Sequence, residues 1–315
     1  MNKAIIITGP TASGKSAISI KLAKKINGEI LSADSMQIYK MMDIGTAKPD
    51  KNEMSHIKHH MIDICGIEQE YSVAQYKKDV IECIKDIVDR KKTPIITGGT
   101  GLYIDSLFLN ISFKVEKSSM KNYYEDYLCK NGKEALYELL YKRDNQAALS
   151  THPNNTKRVI RYLDILSSFD GTLDEYKEKS LENKSENKYF TFIIDMPREL
   201  LYQRINERVD IMLKNGLVKE VTDIIKSGYN ISSNALSAIG YKEVIKYLRG
   251  YCTYEEMVSI LKQNTRNYAK RQITWFKKYK DAKLIDASKF KDADEIACYI
   301  RSELVENPEY AKDFT

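Results

Sequence analysis

Ala4-Ile5-Ile6-Ile7-Thr8-Gly9-Pro10-Thr11-Ala12-Ser13-Gly14-Lys15-Ser16 is the stretch that decides the fold. Its first five residues are mostly β-branched and apolar on both faces, as a parallel strand buried from both sides reads. Gly9-Pro10 ends that strand, and residues 16–25 follow with helical periodicity, Ile18 and Leu22 four apart and Gly28 near the end. Gly9 to Ser16 fits G-x-x-x-x-G-K-[ST] in the strand–turn–helix setting the motif requires. Glycines let backbone N–H groups point inward around phosphate oxygens, and the helix N-terminus adds a positive dipole end. Lys15 would neutralise charge and the Ser16 hydroxyl could hold Mg²⁺. Gly9, Pro10, Thr11, Ala12, Ser13, Gly14, Lys15 and Ser16 therefore read as a phosphate-binding loop, which leaves open whose phosphates it holds.

Further along, apolar runs at 29–33 and 93–97 end at Asp34 and at Gly98-Gly99, with helical periodicity between them through Val80, Ile84 and Ile87. Strands alternating with helices predict an α/β fold with a parallel sheet, ligands lying at the C-terminal strand ends. Asp34 is then at the mouth of the phosphate loop. Three roles are open to it: Mg²⁺ ligand, general base, or cap of the following turn. Ser35, Gln37 and Tyr39 follow with further donors. Gly98-Gly99-Thr100-Gly101 faces the same site; its glycines suit close approach of backbone to ligand or a tight strand–helix turn, and Thr100 is its only side chain able to add specificity. Arg204 and Arg208 lie four apart on a helix starting near Pro197, one face of which could clamp an anion or form salt bridges with Glu199 and Glu207.

The chain has 315 residues, 43% hydrophobic and 30% charged, enough for a large buried core. A mean hydropathy of −0.47 and strand-sized apolar runs argue against a membrane protein. A lysine, a brief apolar stretch and then Gly9-Pro10 do not read as a signal peptide, and the five scattered cysteines form no C-x-x-C pair, so a cytoplasmic protein with free thiols is expected. Residues 116–188 change character: Lys, Glu, Tyr and Asn dominate, strand runs vanish, and helical segments recur at 134–142 and 157–166. Residues 180–188 read as a polar loop, and 189–195 as one more strand. The expected architecture is a P-loop NTPase-like parallel sheet flanked by helices over 1–115 and 189–315, an all-helical insertion over 116–188, and a helical C-terminal region with breaks at Gly216, Gly228, Gly240 and Gly250.

The net charge of +6 matters through its location. Residues 261–280 carry Lys262, Arg266, Lys270, Arg271, Lys277, Lys278 and Lys280 without an acid, interleaved with Tyr268, Trp275, Phe276 and Tyr279. Such a segment suits phosphate contacts and stacked unpaired bases, although Trp275 and Phe276 could equally be core. Lys157, Arg158 and Arg161 form a second basic element, and two separated elements suggest a large polyanion. His56, His59 and His60, near Asp63 and Cys65, offer zinc ligands without an obvious fourth, so packing and helix-end roles are preferred.

The ordered set of motifs resembles the bacterial tRNA dimethylallyltransferases, or tRNA isopentenyltransferases, nearly end to end. It comprises Gly9 to Ser16, Ser32-Ala33-Asp34-Ser35-Met36-Gln37-Ile38-Tyr39, Met42-Asp43-Ile44-Gly45-Thr46-Ala47-Lys48-Pro49, His59-His60-Met61-Ile62-Asp63 and Gly98-Gly99-Thr100-Gly101-Leu102-Tyr103. His152-Pro153-Asn154, Arg204 with Arg208, Ile239-Gly240-Tyr241, and Thr265-Arg266 through Ala269-Lys270-Arg271-Gln272 to Thr274-Trp275-Phe276 complete it. The resemblance implies transfer of a dimethylallyl group from its diphosphate to the exocyclic amine of the adenosine immediately 3′ to a tRNA anticodon. It implies that Asp34, Thr100 and Arg208 are catalytic, that the loop holds the prenyl diphosphate instead of ATP, and that Ser16 binds Mg²⁺. It further implies tRNA contacts at Asp34, Ser35, Met36, Gln37 and Thr100, at Lys157, Arg158, Val159, Ile160 and Arg161, at Ser237, Ala238, Ile239, Gly240, Tyr241 and Lys242, and at Lys270, Arg271, Gln272, Thr274, Trp275 and Lys277. A monomer suits one enzyme gripping one anticodon arm. Lys242, where family members commonly have Arg, and Asp144-Asn145, where they have Asp-Pro, depart from the pattern. The residues themselves also admit a small-molecule kinase clamping ATP with Arg204 and Arg208, or a non-catalytic RNA-binding nucleotide switch.

Overall fold

The computed structural model describes residues 2–108, 120–181 and 187–307. The boundary expected between 115 and 116, and residues 182–186 of the expected polar loop, lie outside the described residues. The chain divides into two compact units, one of Met1–Asp105 with Glu186–Thr315 and one of Ser106–Ser185.

In the first unit, β1 (Lys3–Thr8), β2 (Gly28–Ser32), β3 (His59–His60), β4 (Thr93–Gly98), β5 (Lys188–Asp195) and β6 (Lys283–Asp286) form a sheet of order β3-β2-β4-β1-β5-β6. All its pairings are parallel, for example Ile5 opposite Ile95 and Phe190. Parallel neighbours need crossovers, supplied by α1 (Lys15–Lys25), α2 (Lys51–His56), α3 (Val73–Asp89) and α4 (Gly101–Phe108). Ile5, Ile7, Ile30, Ile95, Phe192 and Ile194 pack with Ile18 and Leu22 of α1 and with Ile296, Ile300 and Leu304 of α13 (Ala293–Glu306). Chain order reverses around β1 and β4, so the loops after these two strands open on one crevice.

The second unit contains α5 (Lys121–Arg143), α6 (Asn145–Leu149), α7 (Thr156–Ser168) and α8 (Leu173–Leu181). Its core is built from Leu136, Leu140, Val159, Ile160, Leu163 and Leu166. Gly132, at φ +81°, interrupts α5, a backbone conformation that side chains with a Cβ rarely adopt.

After β5 come α9 (Arg198–Lys214), α10 (Leu217–Lys226), α11 (Tyr241–Leu248) and α12 (Tyr254–Phe276). A capping box between Thr253 and Glu256 starts α12, satisfying two otherwise orphaned backbone donors. Leu201 and Ile205 of α9 pack with Ala269 of α12 and with Ala12 of the phosphate loop, which brings both helices to the mouth of the sheet. The two outer strands β3 and β6 were not legible, because two and four residues give too little alternation to read.

Candidate active site

The loop after β1 has the backbone that its glycines predict. Gly14 caps α1 in the left-handed region at φ +90°, and Ala12 is left-handed too at φ +64°. A Cβ on Gly9 would stand 2.2 Å from the Ile194 carbonyl oxygen. Lys15 Nζ donates to the Pro10 carbonyl at 3.0 Å, folding its ammonium back over the loop. Burial first and the nearby Arg208 charge second, opposed by Asp34, draw the Lys15 pKa down to about 8. Burial likewise lowers Arg208, with Asp34 again holding it charged. Lys15, Arg208 and Asp34 thus form one electrostatic group. Arg204, one turn before Arg208, is exposed, its guanidinium 4.0 Å from where a Gly14 Cβ would be.

A cleft opens beside the loop, lined by Thr11, Lys15, Ser16, Asp34, Arg208 and Tyr268 among others. Ile30, Ser32 and Asp34 alternate along β2 and its extension, so all three turn to the same side. Ala47, Pro49, His59 and Ile62 add a more apolar wall. Of the three roles left open for Asp34, the structure shows the cap of the following turn. Its Oδ1 accepts the Met36 N–H at 2.9 Å, capping the turn, while the carboxylate still lines the cleft. Tyr268, within hydrogen-bonding reach of Thr100 and Gln272, is held protonated by burial and by the Asp34 charge.

The Gly98-Gly99-Thr100-Gly101 turn proves to be shaped by the protein itself. A Cβ on Gly98 would strike the Ala33 carbonyl at 2.2 Å, one on Gly99 the Gln272 amide nitrogen at 2.2 Å, and one on Gly101 the Trp275 ring at 2.3 Å. Thr100 Oγ1 accepts the Ser35 N–H at 2.9 Å, so this hydroxyl ties the β4 loop to the β2 loop.

Four of the side chains expected at an RNA surface are buried. Gln272 is 5% exposed; its Oε1 accepts the Thr11 N–H at 2.8 Å and its Nε2 donates to the Gly99 carbonyl at 2.9 Å. Val159 and Ile160 are core of the second unit, and Tyr241 is fully buried, its hydroxyl donating to Glu220. Their exposed neighbours are Lys157, Arg158 and Arg161 on α7, Ser237 and Lys242 before and in α11, and Lys270, Arg271, Thr274, Trp275 and Lys277 at the end of α12. Ser35, Met36, Gln37, Ala238 and Ile239 are partly exposed, and Gly240 is buried. Trp275 and Phe276 divide: Phe276 is core at 2% exposure, Trp275 stands 41% exposed with the Lys278 ammonium 4.3 Å from its ring centre. Other cations of 261–280 are engaged within the fold, Lys262 with Asp210, Arg266 with Asn206 and Lys278 with Asp105.

His59 and His60 take structural partners. His60 Nε2 meets Glu29 at 2.8 Å and His59 Nδ1 the Ile57 carbonyl at 2.7 Å. No group of three His, Cys, Asp or Glu side chains placed to hold a metal ion occurs among the described residues. For Mg²⁺ the available donors are the exposed Ser16 hydroxyl and the Asp34 carboxylate, both on the cleft. Two hard oxygens fit an ion that keeps several waters and takes the rest of its shell from substrate phosphates. Tyr268, Gln37, Ala47 and His59 line the cleft without having been expected there as donor-site residues; Gln37, Ala47 and His59 lay within motifs singled out from the sequence, and Tyr268 within its basic aromatic segment.

An anion cradle on a parallel sheet, facing a carboxylate on the next strand, defines a P-loop α/β protein equipped for group transfer from a phosphorylated donor. The IPP transferase family model matches residues 37–279, and the chain belongs to that family. It is 45% identical over 297 residues to a tRNA dimethylallyltransferase of Acetivibrio thermocellus, covering 94% of this chain and 95% of the relative. A tRNA dimethylallyltransferase of Clostridioides difficile is 43% identical over 294 residues, covering 93% and 94%. Among solved structures, a tRNA delta(2)-isopentenylpyrophosphate transferase of Staphylococcus epidermidis matches with TM-score 0.71 and 40% identity over 96% of this chain and 98% of that one. A eukaryotic dimethylallyltransferase acting on tRNA matches with TM-score 0.83 and 29% identity over 99% and 80%.

Proposed function

We propose that the protein transfers the dimethylallyl group of dimethylallyl diphosphate to the exocyclic amine of the adenosine immediately 3′ to the anticodon of tRNA. The observation that carries this reading is the sharing of one cleft by the Lys15–Arg208 cation pair and the Asp34 carboxylate. Diphosphate lies in the 9–16 loop against the N–H groups at the start of α1, where Lys15 and Arg208 stabilise the charge that grows as the allylic C–O bond breaks. Bound at Ser16, Mg²⁺ would add positive charge at the same leaving group. The adenine amine forms the new C–N bond. Its lone pair is delocalised into the purine, so it gains from a base: Asp34 accepts the proton it loses. The adenine must leave its stack to enter such a site, which the single-stranded anticodon loop permits at modest cost. The exposed cations of α12 and α7 supply phosphate contacts, and Trp275 a face for stacking. A monomer acting in the cytoplasm fits this task.

The test is mass spectrometry of an unmodified anticodon stem-loop with that adenosine, incubated with the protein, Mg²⁺ and dimethylallyl diphosphate. A gain of one five-carbon unit on the adenosine is expected. No gain on stem-loop or full-length tRNA, with ATP turnover on a small acceptor instead, would overturn the reading in favour of a kinase.

A further inference from the structure

Glu220 stands in the first turn of α10 and is not among the residues that line the cleft, yet its carboxylate accepts four hydrogen bonds. Oε2 accepts the backbone N–H of Asp43 at 3.1 Å and of Ile44 at 2.7 Å, and Oε1 accepts the N–H of Gly45 at 3.1 Å and the Tyr241 hydroxyl at 2.6 Å. Three successive amides converging on one carboxylate make a small anion nest, here filled by the protein's own side chain. Tyr241 completes the joint. Its fully buried ring lies where a Gly45 Cβ would come within 2.5 Å, and burial together with the Glu220 charge keeps its hydroxyl protonated as a donor.

The segment held this way is the 43–49 loop, whose Ala47 and Pro49 form part of the cleft wall. Its other side is fastened to the site as well. Gln37 Nε2 donates to the Thr46 and Ala47 carbonyls, both at 3.3 Å, and Lys48 Nζ bonds the Tyr39 carbonyl at 2.6 Å and Asp63 at 2.5 Å. Ala47 is left-handed at φ +47°, a conformation that persists only where the surroundings over-determine it. Glu220 anchors the outer side of this loop, and the Tyr241 bond fixes it to the segment bearing Gly240 and Lys242.

We propose that Glu220, with Tyr241, is a positioning residue for the prenyl donor: it sets the apolar wall that receives the hydrocarbon part and turns its own negative charge away from the anionic substrate. This rests on the donor assignment above. The wall contacts the chain and not the phosphates, so its loosening weakens binding of dimethylallyl diphosphate while leaving inorganic diphosphate unaffected.

The test uses calorimetric titration of the full chain with each of the two ligands, alongside steady-state kinetics, for wild type, Glu220→Gln and Tyr241→Phe. Glutamine cannot accept N–H groups at both ends, and phenylalanine keeps the ring on Gly45 while losing the hydroxyl. The expected result is at least a fivefold rise in Kd and KM for dimethylallyl diphosphate in Glu220→Gln, a smaller rise in Tyr241→Phe, inorganic diphosphate within twofold, and kcat at saturation within threefold. Unchanged donor Kd in folded variants whose activity merely follows the folded fraction overturns the proposal, as does equal weakening of both ligands. Should Glu220→Gln not fold, Tyr241→Phe decides by the same ratio. Absence of wild-type transfer to tRNA would sink the proposed reaction, whereas the binding ratio between the two ligands is read independently of turnover.

Discussion

At the scale of single residues, the site depends on how Asp34, Lys15 and Arg208 set one another's charge. Asp34 caps its own turn through Oδ1 and lines the cleft, so Asp34→Asn preserves much of the local structure while removing the base. A fall of about 10²–10⁴-fold in kcat with little change in tRNA affinity is expected, and near-normal turnover would remove Asp34 from that role. Lys15 is a cation, charged below its pKa, and that pKa is drawn down to about 8. The donor meets an ammonium below that pH and a neutral amine above it, so kcat/KM for the donor should fall as pH rises through about 8. Arg208→Gln, which removes the second cause of the depression, should move the break upward. A profile flat to pH 10 in the wild type would contradict the environment described for Lys15.

At the scale of elements, α12 does two jobs on two faces. Its inner face, with Ala269, Gln272 and Phe276, closes the site; its outer face carries Lys270, Arg271, Lys277 and the half-exposed Trp275. Substitutions on the two faces should therefore separate. Lys270→Ala and Arg271→Ala should each weaken RNA binding and reduce the slope of log Kd against log salt by about 0.7–0.9 per lost phosphate contact, with thermal stability hardly altered. An unchanged slope would mean that this face does not meet the RNA backbone. Gln272→Leu leaves the Thr11 N–H and the Gly99 carbonyl unpaired in a buried place, at about 1–3 kcal/mol for each group. Measured by denaturant unfolding and by diphosphate titration, it should lose both stability and donor affinity, without changing the salt slope of RNA binding.

At the scale of the whole molecule, the sheet edge is held by a buried carboxylate. Glu29 of β2, 1% exposed, receives the Arg90 guanidinium at 2.5 and 2.7 Å, His60 at 2.8 Å and Lys92 at 2.9 Å, joining β2 to β3 and to the end of α3. Arg90 first, then His60 and Lys92, hold its pKa well below the usual carboxylate range of about 4.5. A carboxyl whose folded pKa is depressed contributes stability in full above its unfolded value and loses it as pH falls toward the folded one. Thermal stability should therefore decline below pH 4.5 more steeply in the wild type than in Glu29→Gln, with the variant less stable at pH 7. Parallel melting curves across that range would show that the cluster contributes nothing.

The β1 strand, the phosphate loop, α1 and the position of Asp34 at the mouth of the sheet were legible in the chain, because each follows from neighbours in sequence: branched apolar residues, a glycine spacing, a lysine at a helix start. The alternation of strands and helices fixed the parallel sheet for the same reason, and the ordered motifs pointed to the family. What the tertiary structure decided lies between residues far apart. Thr11 and Gln272 are 261 positions apart and Gly99 and Gln272 are 173, so no local pattern could turn a polar residue of a basic segment into the bolt between two loops. The glycines after β4 read equally as room for a ligand or as a turn, and only the packing revealed Ala33, Gln272 and Trp275 in the space. Tyr241 and Glu220 followed no motif logic that separates a buried strut from an exposed contact. Sequence determines which groups a backbone can present nearby; burial and partner choice are settled only when distant segments close on one another.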